Sequence, residues 1–206
     1  MARYTGPKNR LARREGMDLG LKTVGSHAHA SMLKRLTIIP GQHGVKGRKK
    51  VTGYGIQLRE KQKVKRFYGV MEKQFRKVFA EAKKWKGNTG DKLIEYLERR
   101  LDNTIVRMNM APTRAAARQC VSHGHVLVNG KRLDIPSYRV NVDDVITLDT
   151  KGMEIPSIKK LIDEKSPIMA PWVERKGPAG KVVKLPERSE VQEDIQEQLI
   201  VEFYSR

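Results

Sequence analysis

The clearest pattern in the chain is a stripe of apolar residues at helical spacing between positions 56 and 90. Its members recur at steps of mostly three or four residues and are Val64, Phe67, Met71, Phe75, Val78, Phe79 and Ala82. This spacing predicts amphipathic helices. Gly69 is expected to separate two of them, and the Gly87-Asn88-Thr89-Gly90 cluster to end the second. Leu93, Leu97 and Leu101 then predict the start of another helix.

A short helix followed by strands is predicted between residues 98 and 148. Thr113 is a favourable N-cap after Pro112 and Gly124 a favourable terminating residue, so a helix is expected over 113–123. The residues after it predict a β-hairpin and two further strands. These are Val126-Leu127-Val128, the Asn129-Gly130 turn, Lys131-Arg132-Leu133, Val140 and residues 145–148, with Asp143-Asp144 as a turn.

The remaining segments carry weaker patterns. Residues 151–186 hold five of the nine prolines and predict a mostly irregular connection. Apolar residues then repeat every four positions at Val191, Ile195, Leu199 and Phe203, preceded by Ser189 and Gln192 at capping-box spacing. That repeat predicts a helix, while the β-forming residues of 199–204 leave a strand as the alternative. Residues 1–55 hold 9 of the 17 glycines and favour an arm that becomes ordered on its partner.

Length and composition exclude several classes of protein. A chain of 206 residues is expected to form two compact units. It has no apolar run that would serve as a secretory signal or membrane span, so we expect an intracellular protein. Cys120 is the only cysteine, which excludes an internal disulfide and any thiolate-based zinc or iron-sulfur site. We expect it to pack as a small buried apolar residue.

The charge is large and unevenly distributed. The formal net charge is +19, with 23 basic and 5 acidic residues before Gly90 and 19 basic and 18 acidic residues after it. This segregation favours a polyanionic partner, and nucleic acid is preferred to anionic lipid because residues 1–55 lack a wide apolar helix face. Only three acids lie among the cations of the helical stripe, too few to balance them at i,i+4, which favours phosphate contact. They are Arg59, Lys61, Lys63, Lys65, Arg66, Lys73, Arg76, Lys77, Lys83 and Lys84.

The predicted 113–123 helix carries a second candidate phosphate site. Arg114, Arg118 and Ser122 share one side of it at i, i+4 and i+8, with Gln119 and His123 beside them. The free N–H groups and partial positive charge of its amino terminus suit a phosphate.

Runs of residues along nearly the whole chain resemble the family of small-subunit ribosomal protein four. Residues 98–148 resemble the RNA-binding module named after that family, through Arg100-Leu101-Asp102-Asn103, Thr113-Arg114, Ala117-Arg118-Gln119, His123-Gly124-His125, Val128-Asn129-Gly130 and Ile135-Pro136-Ser137-Tyr138. The other runs include Met1-Ala2-Arg3-Tyr4, Arg13-Arg14-Glu15-Gly16, Pro40-Gly41-Gln42-His43-Gly44, Leu58-Arg59-Glu60-Lys61-Gln62-Lys63, Lys86-Gly87-Asn88-Thr89-Gly90 and Glu202-Phe203-Tyr204-Ser205.

The resemblance implies an α+β fold, in which a basic helical domain carries an inserted small helix-plus-β-hairpin RNA-binding module and an extended amino-terminal arm. We expect the arm over 1–45, the helical domain over 46–97 completed by 187–206, and the module with its Pro-rich connection over 98–186. Many family members bind zinc through four cysteines in the arm, and this arm has none. His27, His29 and His43 alone are a poor ligand set, so we expect a zinc-free arm ordered by RNA.

The resemblance also implies a function. A bacterial or organellar protein would bind small-subunit ribosomal RNA at a multi-helix junction, nucleate assembly of the subunit body and work without a cofactor. Its expected neighbour is ribosomal protein five, contacted through Glu202 and Tyr204, and their interface would influence decoding accuracy. The tract Lys46, Arg48, Lys49 and Lys50 would face the path by which messenger RNA enters.

The expected RNA contacts extend over all three regions. Besides the tract, they are Arg3, Tyr4, Lys8, Arg10, Arg13, Arg14, Tyr54, Arg59, Lys61, Lys63, Lys65, Arg66, Arg76, Lys77, Lys83, Lys84, Thr113, Arg114, Arg118, Gln119, His123, His125, Asn129 and Lys131. Tyr4 and Tyr54 are candidates for stacking on unpaired bases, and Tyr68 for stacking or core packing.

Two other functions fit an RNA-binding module. It can deliver a catalytic domain in RNA-modifying enzymes of the pseudouridine synthase type, or the chain can be a free RNA chaperone. No Gly-rich phosphate loop, catalytic triad or strand-rich catalytic domain is found in the sequence, so an enzyme is not favoured. No membrane and no small-molecule substrate is expected.

Overall fold

The computed structural model describes residues 3–46, 50–164 and 168–205. The chain divides into two compact units, the first formed by Met1–Gly90 and Asp194–Arg206 and the second by Asp91–Glu193. The described residues form helices and one small antiparallel sheet, and this combination confirms the predicted α+β class. Within the described ranges, no helix has both the length and the apolar character needed to cross a membrane.

The strands lie between helices along the chain, after α7 and again after α9. The helices are α1 (Lys8–Glu15), α2 (His27–Leu33), α3 (Gly53–Phe67), α4 (Glu72–Lys83), α5 (Thr89–Glu98), α6 (Leu101–Arg107), α7 (Arg114–Ser122), α8 (Thr150–Met153), α9 (Pro156–Ile162) and α10 (Glu197–Ser205). The strands are β1 (Val126–Val128), β2 (Lys131–Arg132), β3 (Val145–Leu148), β4 (Val173–Lys176) and β5 (Ala179–Val182).

The core of the first unit comes from the predicted apolar stripe. Val64 and Phe67 of α3 are buried, as are Phe75, Phe79 and Ala82 of α4. The two helices are separated at Gly69, as predicted, where the backbone has a φ of 63° that glycine adopts without strain. A third helix, α10, packs along α3 and completes the unit.

The carboxy terminus is a helix, which decides between the two predicted alternatives. It begins at Glu197, however, and not near Ser189, so the predicted Ser189–Gln192 capping box is wrong. Glu187 and Glu190 form a capping box instead, around the short 3-10 turn Arg188–Glu190. Val191 follows that turn and Ile195 still precedes α10, so the four-residue apolar repeat begins before the helix does.

The segment predicted as an arm contains helices of its own. The Ser26 side chain caps α2 by accepting from the His29 backbone N–H. Leu19 between the helices is fully buried, and α1 contacts both α2 and α3. Local capping and a few apolar residues therefore organise part of this glycine-rich region.

The second unit packs helices against a five-stranded sheet of order β2-β1-β3-β5-β4, with antiparallel neighbours throughout. The predicted hairpin is confirmed. Asn129 and Gly130 have φ angles of 50° and 75°, the positive values that a two-residue type I′ turn requires. Residues of α6, α7 and the sheet form one core, in which Trp172 is among the largest buried side chains.

Two predictions for the second unit are wrong, and a third is confirmed only in part. Residues 151–186 are not mostly irregular, since they form α8, α9, β4 and β5. The prolines mark the ends of elements: Pro156 begins α9, and Pro178 lies in the turn between β4 and β5. Val140 forms no strand and instead is fully buried, with its N–H donating to the Arg99 carbonyl. The leucine stripe does begin a helix as predicted, since Leu93 and Leu97 lie in α5, but α5 ends at Glu98 and Leu101 begins α6.

Candidate nucleic-acid interface

The outer face of α4 is a row of cations without acidic partners. Phe75, Phe79 and Ala82 turn one side of this helix into the core, and the basic residues occupy the opposite side. The row consists of Lys73, Arg76, Lys77, Lys83 and Lys84, and all five are exposed. No carboxylate of the described part of the chain forms an ion pair with them. We call these five residues the α4 basic row.

The cations of α3 are in a different state, because each is paired within the protein. Arg59 and Arg66 both contact the carboxylate of Glu15, which comes from α1. Lys61 and Lys65 hold Glu72 at 2.9 and 3.1 Å.

Lys63 is paired in the same way. Its ammonium lies 2.7 Å from Glu60 and also donates to the Asp194 carbonyl oxygen at 2.7 Å. The structure therefore separates the predicted cations of 59–84 into a paired set on α3 and an exposed set on α4.

Three groups of the α3 pairs, Glu15, Arg66 and Glu72, have shifted pKa values. Burial raises the pKa of Glu15, against the opposing effect of Arg66 and Arg59. Burial likewise lowers the pKa of Arg66. Partial burial opposes ionisation of Glu72, but hydrogen bonds from Lys61, Tyr204 and Lys65 outweigh it and lower its pKa to about 2.

The candidate protein-interface residues lie on α10, where aromatic side chains meet α3 and α4. Tyr204 is half-buried, its hydroxyl donates to Glu72 at 2.9 Å, and its ring centroid is 4.6 Å from that of Phe79. Burial and the Glu72 hydrogen bond raise the pKa of Tyr204. Glu202 is exposed but accepts from the Gln57 amide at 2.8 Å.

Lys61 is part of the same cluster and is buried, with an exposure of 5%. Its ammonium lies 4.5 Å from the centroid of the Phe203 ring, a cation–π arrangement. Tyr54 also reaches this cluster, at 5.6 Å between its ring centroid and that of Phe203, while remaining half exposed. Tyr68 is buried, which favours core packing over base stacking.

In the amino-terminal segment, most candidate residues are at the surface. Those that are exposed are Arg3, Tyr4, Arg10, Arg14, Lys46 and Lys50, and those half-buried are Lys8 and Arg13. Arg13 donates to the Ile38 carbonyl at 3.0 Å. Arg48 and Lys49 lie outside the described residues.

His29 of the amino-terminal segment lies 2.7 Å from Asp18. The described ranges contain no group of three or more His, Cys, Asp or Glu side chains arranged to hold a metal ion.

In the second unit, α7 forms as predicted, but its two arginines contact other side chains of the protein. Thr113 caps the helix by accepting from the Ala116 N–H at 3.2 Å. Arg114 donates to Asn103 at 2.7 Å. Arg118 is only 7% exposed and lies 4.0 Å from Asp102. The stripe predicted to face a phosphate is therefore largely enclosed by the protein.

The exposed polar surface of the module lies at the other end of α7 and on the hairpin. Gln119, His123 and Lys131 are exposed, and His125 is half-buried. Asn129 is exposed but works as a turn residue, donating to Asp144 at 2.8 Å and accepting from the Val145 N–H at 2.9 Å.

Arg132 belongs to the same surface, although the sequence predicted it only as part of the hairpin and not as an RNA contact. It is exposed and donates to the His123 carbonyl at 3.0 Å. Its place after the Asn129-Gly130 turn, beside Lys131, was the available signal.

A buried network of charges supports α7, and sequence reasoning missed its role. Glu98 is fully buried and accepts from Arg107 at 2.8 and 2.7 Å and from the Asn103 amide at 2.8 Å. The Asn103 oxygen in turn accepts from Arg114.

The Arg100-Leu101-Asp102-Asn103 run, used above only as a mark of resemblance, supplies much of this network. Arg100 pairs with Asp102 through two hydrogen bonds of 3.1 and 2.7 Å, and Asp102 also lies 4.0 Å from Arg118. Charged residues inside an apolar helical run were the available signal.

Comparisons with known proteins match the chain over its whole length. The model of the ribosomal protein S4/S9 N-terminal domain matches residues 3–98, and the model of the S4 domain matches residues 99–146. The small ribosomal subunit protein uS4 of Thermoanaerobacter sp. is 49% identical over 208 residues, and that of Pelobacter propionicus is 50% identical over 209. The uS4 protein of Thermodesulfovibrio yellowstonii is 50% identical over 212 residues. Each alignment covers 100% of both chains.

Proposed function

The chain belongs to the ribosomal protein S4 family, and from that premise we propose that it is a structural component of the small ribosomal subunit that binds the subunit's RNA directly. The observation that carries the proposal is the α4 basic row, five exposed cations that no carboxylate of the described residues neutralises. A row of this kind fits the spaced negative charges of an RNA backbone.

The mechanism is electrostatic capture followed by docking of a rigid surface. The α4 basic row neutralises phosphates and releases their counterions, which makes binding strong and dependent on salt. Buried pairs hold α3 and α7 in fixed positions, so that a folded RNA is selected by shape. Gln119, His123, Lys131 and Arg132 form the proposed contact surface of the module, and Arg3, Tyr4, Arg10, Arg14, Lys46 and Lys50 that of the amino-terminal segment.

The paired residues have a different part in this proposal. Lys61 and Arg118 are buried, and Thr113 is used as a helix cap, so we assign them to holding the helices that carry the surface. Arg59, Lys63, Lys65, Arg66 and Arg114 belong to the same supporting set because each has a partner in the protein.

The finer roles extend the same proposal. Through its RNA contacts the chain would nucleate assembly of the subunit body in the bacterial cytoplasm. Glu202 and Tyr204 on α10 would contact ribosomal protein five and so influence decoding accuracy. The Lys46–Lys50 tract would face incoming messenger RNA. The family is one of ribosomal structural proteins, and we assign the chain no catalytic role.

The proposal is tested by the salt dependence of RNA binding. Replacing Arg76 and Lys77 together by alanine removes two phosphate contacts, so the slope of log affinity against log salt should flatten by about 1.4 to 1.8. Filter binding to transcribed small-subunit ribosomal RNA, at several salt concentrations, measures that slope.

The matched control is the Lys159→Ala, Lys160→Ala double variant. It removes the same charge from exposed positions of another helix, α9, and should leave the slope near that of the parent. Equal flattening in both variants would mean that net charge, rather than the α4 basic row, makes the contact.

A further inference from the structure

Trp85 is a large aromatic residue exposed beside the α4 basic row. It follows the end of α4, where its N–H donates to the Ala82 carbonyl at 3.1 Å. Its exposure is 55%, whereas Trp172 in the core of the second unit is 1% exposed. One edge of the indole rests on the chain at Gly87, since a Cβ built there would lie 3.2 Å from ring atoms Cδ1 and Nε1. The ring therefore lies close to the backbone at Gly87 while remaining exposed.

The surroundings of Trp85 are strongly basic. Lys83, Lys84 and Lys86 are exposed on either side of it in the chain. Of the acids of α4, Glu72 is held by Lys61 and Lys65 and Glu81 is half-buried. An apolar ring in a neutral surface would suit many partners, but a ring among three exposed lysines suits a partner that is both aromatic and anionic. A nucleotide has both properties.

We infer that the indole of Trp85 is a stacking platform for an unpaired base of the ribosomal RNA, with the neighbouring lysines holding the phosphates on each side of that base. This inference rests on the proposed function and adds a contact to the α4 basic row. Stacking does not require a particular base, because every base presents a π face. Trp85 would therefore select an unpaired nucleotide rather than a sequence.

The first test compares substitutions that distinguish the effect of the aromatic ring from the effect of side-chain bulk. Trp85→Ala and Trp85→Leu should each weaken binding to transcribed small-subunit ribosomal RNA by about 5- to 150-fold, the range that corresponds to one stacked base. Trp85→Phe, which keeps an aromatic face, should retain most of the affinity. The salt slope should remain that of the parent in all three variants, since no charge is removed.

The control for bulk is Ile168→Ala, which removes an apolar side chain of 89% exposure from the second unit and should leave the affinity unchanged. If Trp85→Ala binds as tightly as the parent, the stacking inference is overturned while the proposed function stands. If the parent itself shows no preference for the ribosomal transcript over an unrelated duplex, the proposed function fails.

Fluorescence gives a second and more direct readout. The difference between the emission of the parent and that of Trp85→Phe isolates Trp85 without altering the core around Trp172. Stacking predicts that the ribosomal transcript quenches this difference signal and protects it from acrylamide, and that a fully paired RNA duplex does neither. A signal that remains accessible to acrylamide in the complex would overturn the inference. Protection that arises only when ribosomal proteins are added would also overturn it, in favour of a protein partner.

Discussion

Glu72 shows how one residue connects three elements of the first unit. Its carboxylate accepts from Lys61 and Lys65 of α3 and from the Tyr204 hydroxyl of α10, while Glu72 itself begins α4. These hydrogen bonds stabilise the ionised form and lower the pKa to about 2. The protonation state of this group is therefore coupled to the packing of all three helices.

This coupling predicts a specific response to acid. Because the pKa of Glu72 is lower in the folded state than its ordinary value of 4.5, its contribution is present above about pH 4.5 and is lost as the pH falls toward about 2. In that window the parent should lose protection of the α3 and α10 amides more steeply than Glu72→Gln. Hydrogen exchange, corrected for the intrinsic effect of pH, measures the difference.

A suitable control is Glu154→Gln, which removes one exposed carboxyl group from the second unit and should keep the slope of the parent. Parallel loss of protection in the parent and Glu72→Gln would show that these hydrogen bonds do not hold the three helices together.

At the residue scale, the sequence identifies the cations but not their partners. The excess of lysine and arginine over 59–84 predicts a phosphate-binding surface, and the α4 basic row is such a surface. This excess of cations does not predict that the carboxylate of Glu15 binds the guanidinium groups of both Arg59 and Arg66. Glu15 precedes these arginines by 44 and 51 residues. Pairs this distant in the chain depend on packing, so local spacing carries no information about them.

At the scale of elements, α7 is held in place by the buried network around Glu98. The side chain of Glu98, at the end of α5, accepts hydrogen bonds from Arg107 and Asn103 of α6. The Asn103 oxygen in turn accepts a hydrogen bond from Arg114 of α7. Glu193 adds a second carboxylate to Arg107 at 2.8 Å. Despite burial, hydrogen bonds and the negative charge of these two glutamates raise the pKa of Arg107, so its guanidinium remains charged.

Breaking this network should destabilise the second unit strongly. Glu98→Ala leaves Arg107 and Asn103 without their main acceptor in the interior and should cost about 3 to 5 kcal/mol in the free energy of unfolding. Urea unfolding followed by Trp172 emission, in a Trp85→Phe background, reports on this unit alone because Trp172 lies in its core.

Glu95→Ala is the comparison variant. Glu95 pairs with Lys92 at i,i+3 and with Arg99 at i,i+4 and is not fully buried, so its loss should cost less than that of Glu98. Equal losses in the two variants would contradict the special role given to Glu98.

Elements with local signals were predictable, and elements that depend on distant partners were not. The Thr113 cap, the Gly124 terminator and the Asn129-Gly130 turn define α7 and the hairpin from neighbouring residues alone. In contrast, β5 exists because it pairs with β3 and β4, including Ile146 opposite Gly180. Local composition did not indicate this pairing, because the segment around β5 is rich in proline.

At the scale of the whole molecule, the charge distribution and the fold give one account. Of the cations before Gly90, those on α3 pair with Glu15, Glu60 and Glu72, and those of the α4 basic row remain for a partner. The remainder of the chain has nearly balanced charge, with 19 basic and 18 acidic residues. Attraction to RNA should therefore come mainly from the first unit, and the module should contribute a surface set by shape.

The central claim is that this arrangement recognises a folded ribosomal RNA and not merely negative charge. The most direct measurement is competition for the unmodified protein between transcribed small-subunit ribosomal RNA and an unrelated RNA duplex of equal length, repeated at increasing salt. Salt weakens the nonspecific electrostatic contribution most, so the preference for the ribosomal transcript should persist or grow as salt rises. Equal competition by the two RNAs at every salt concentration would contradict the account.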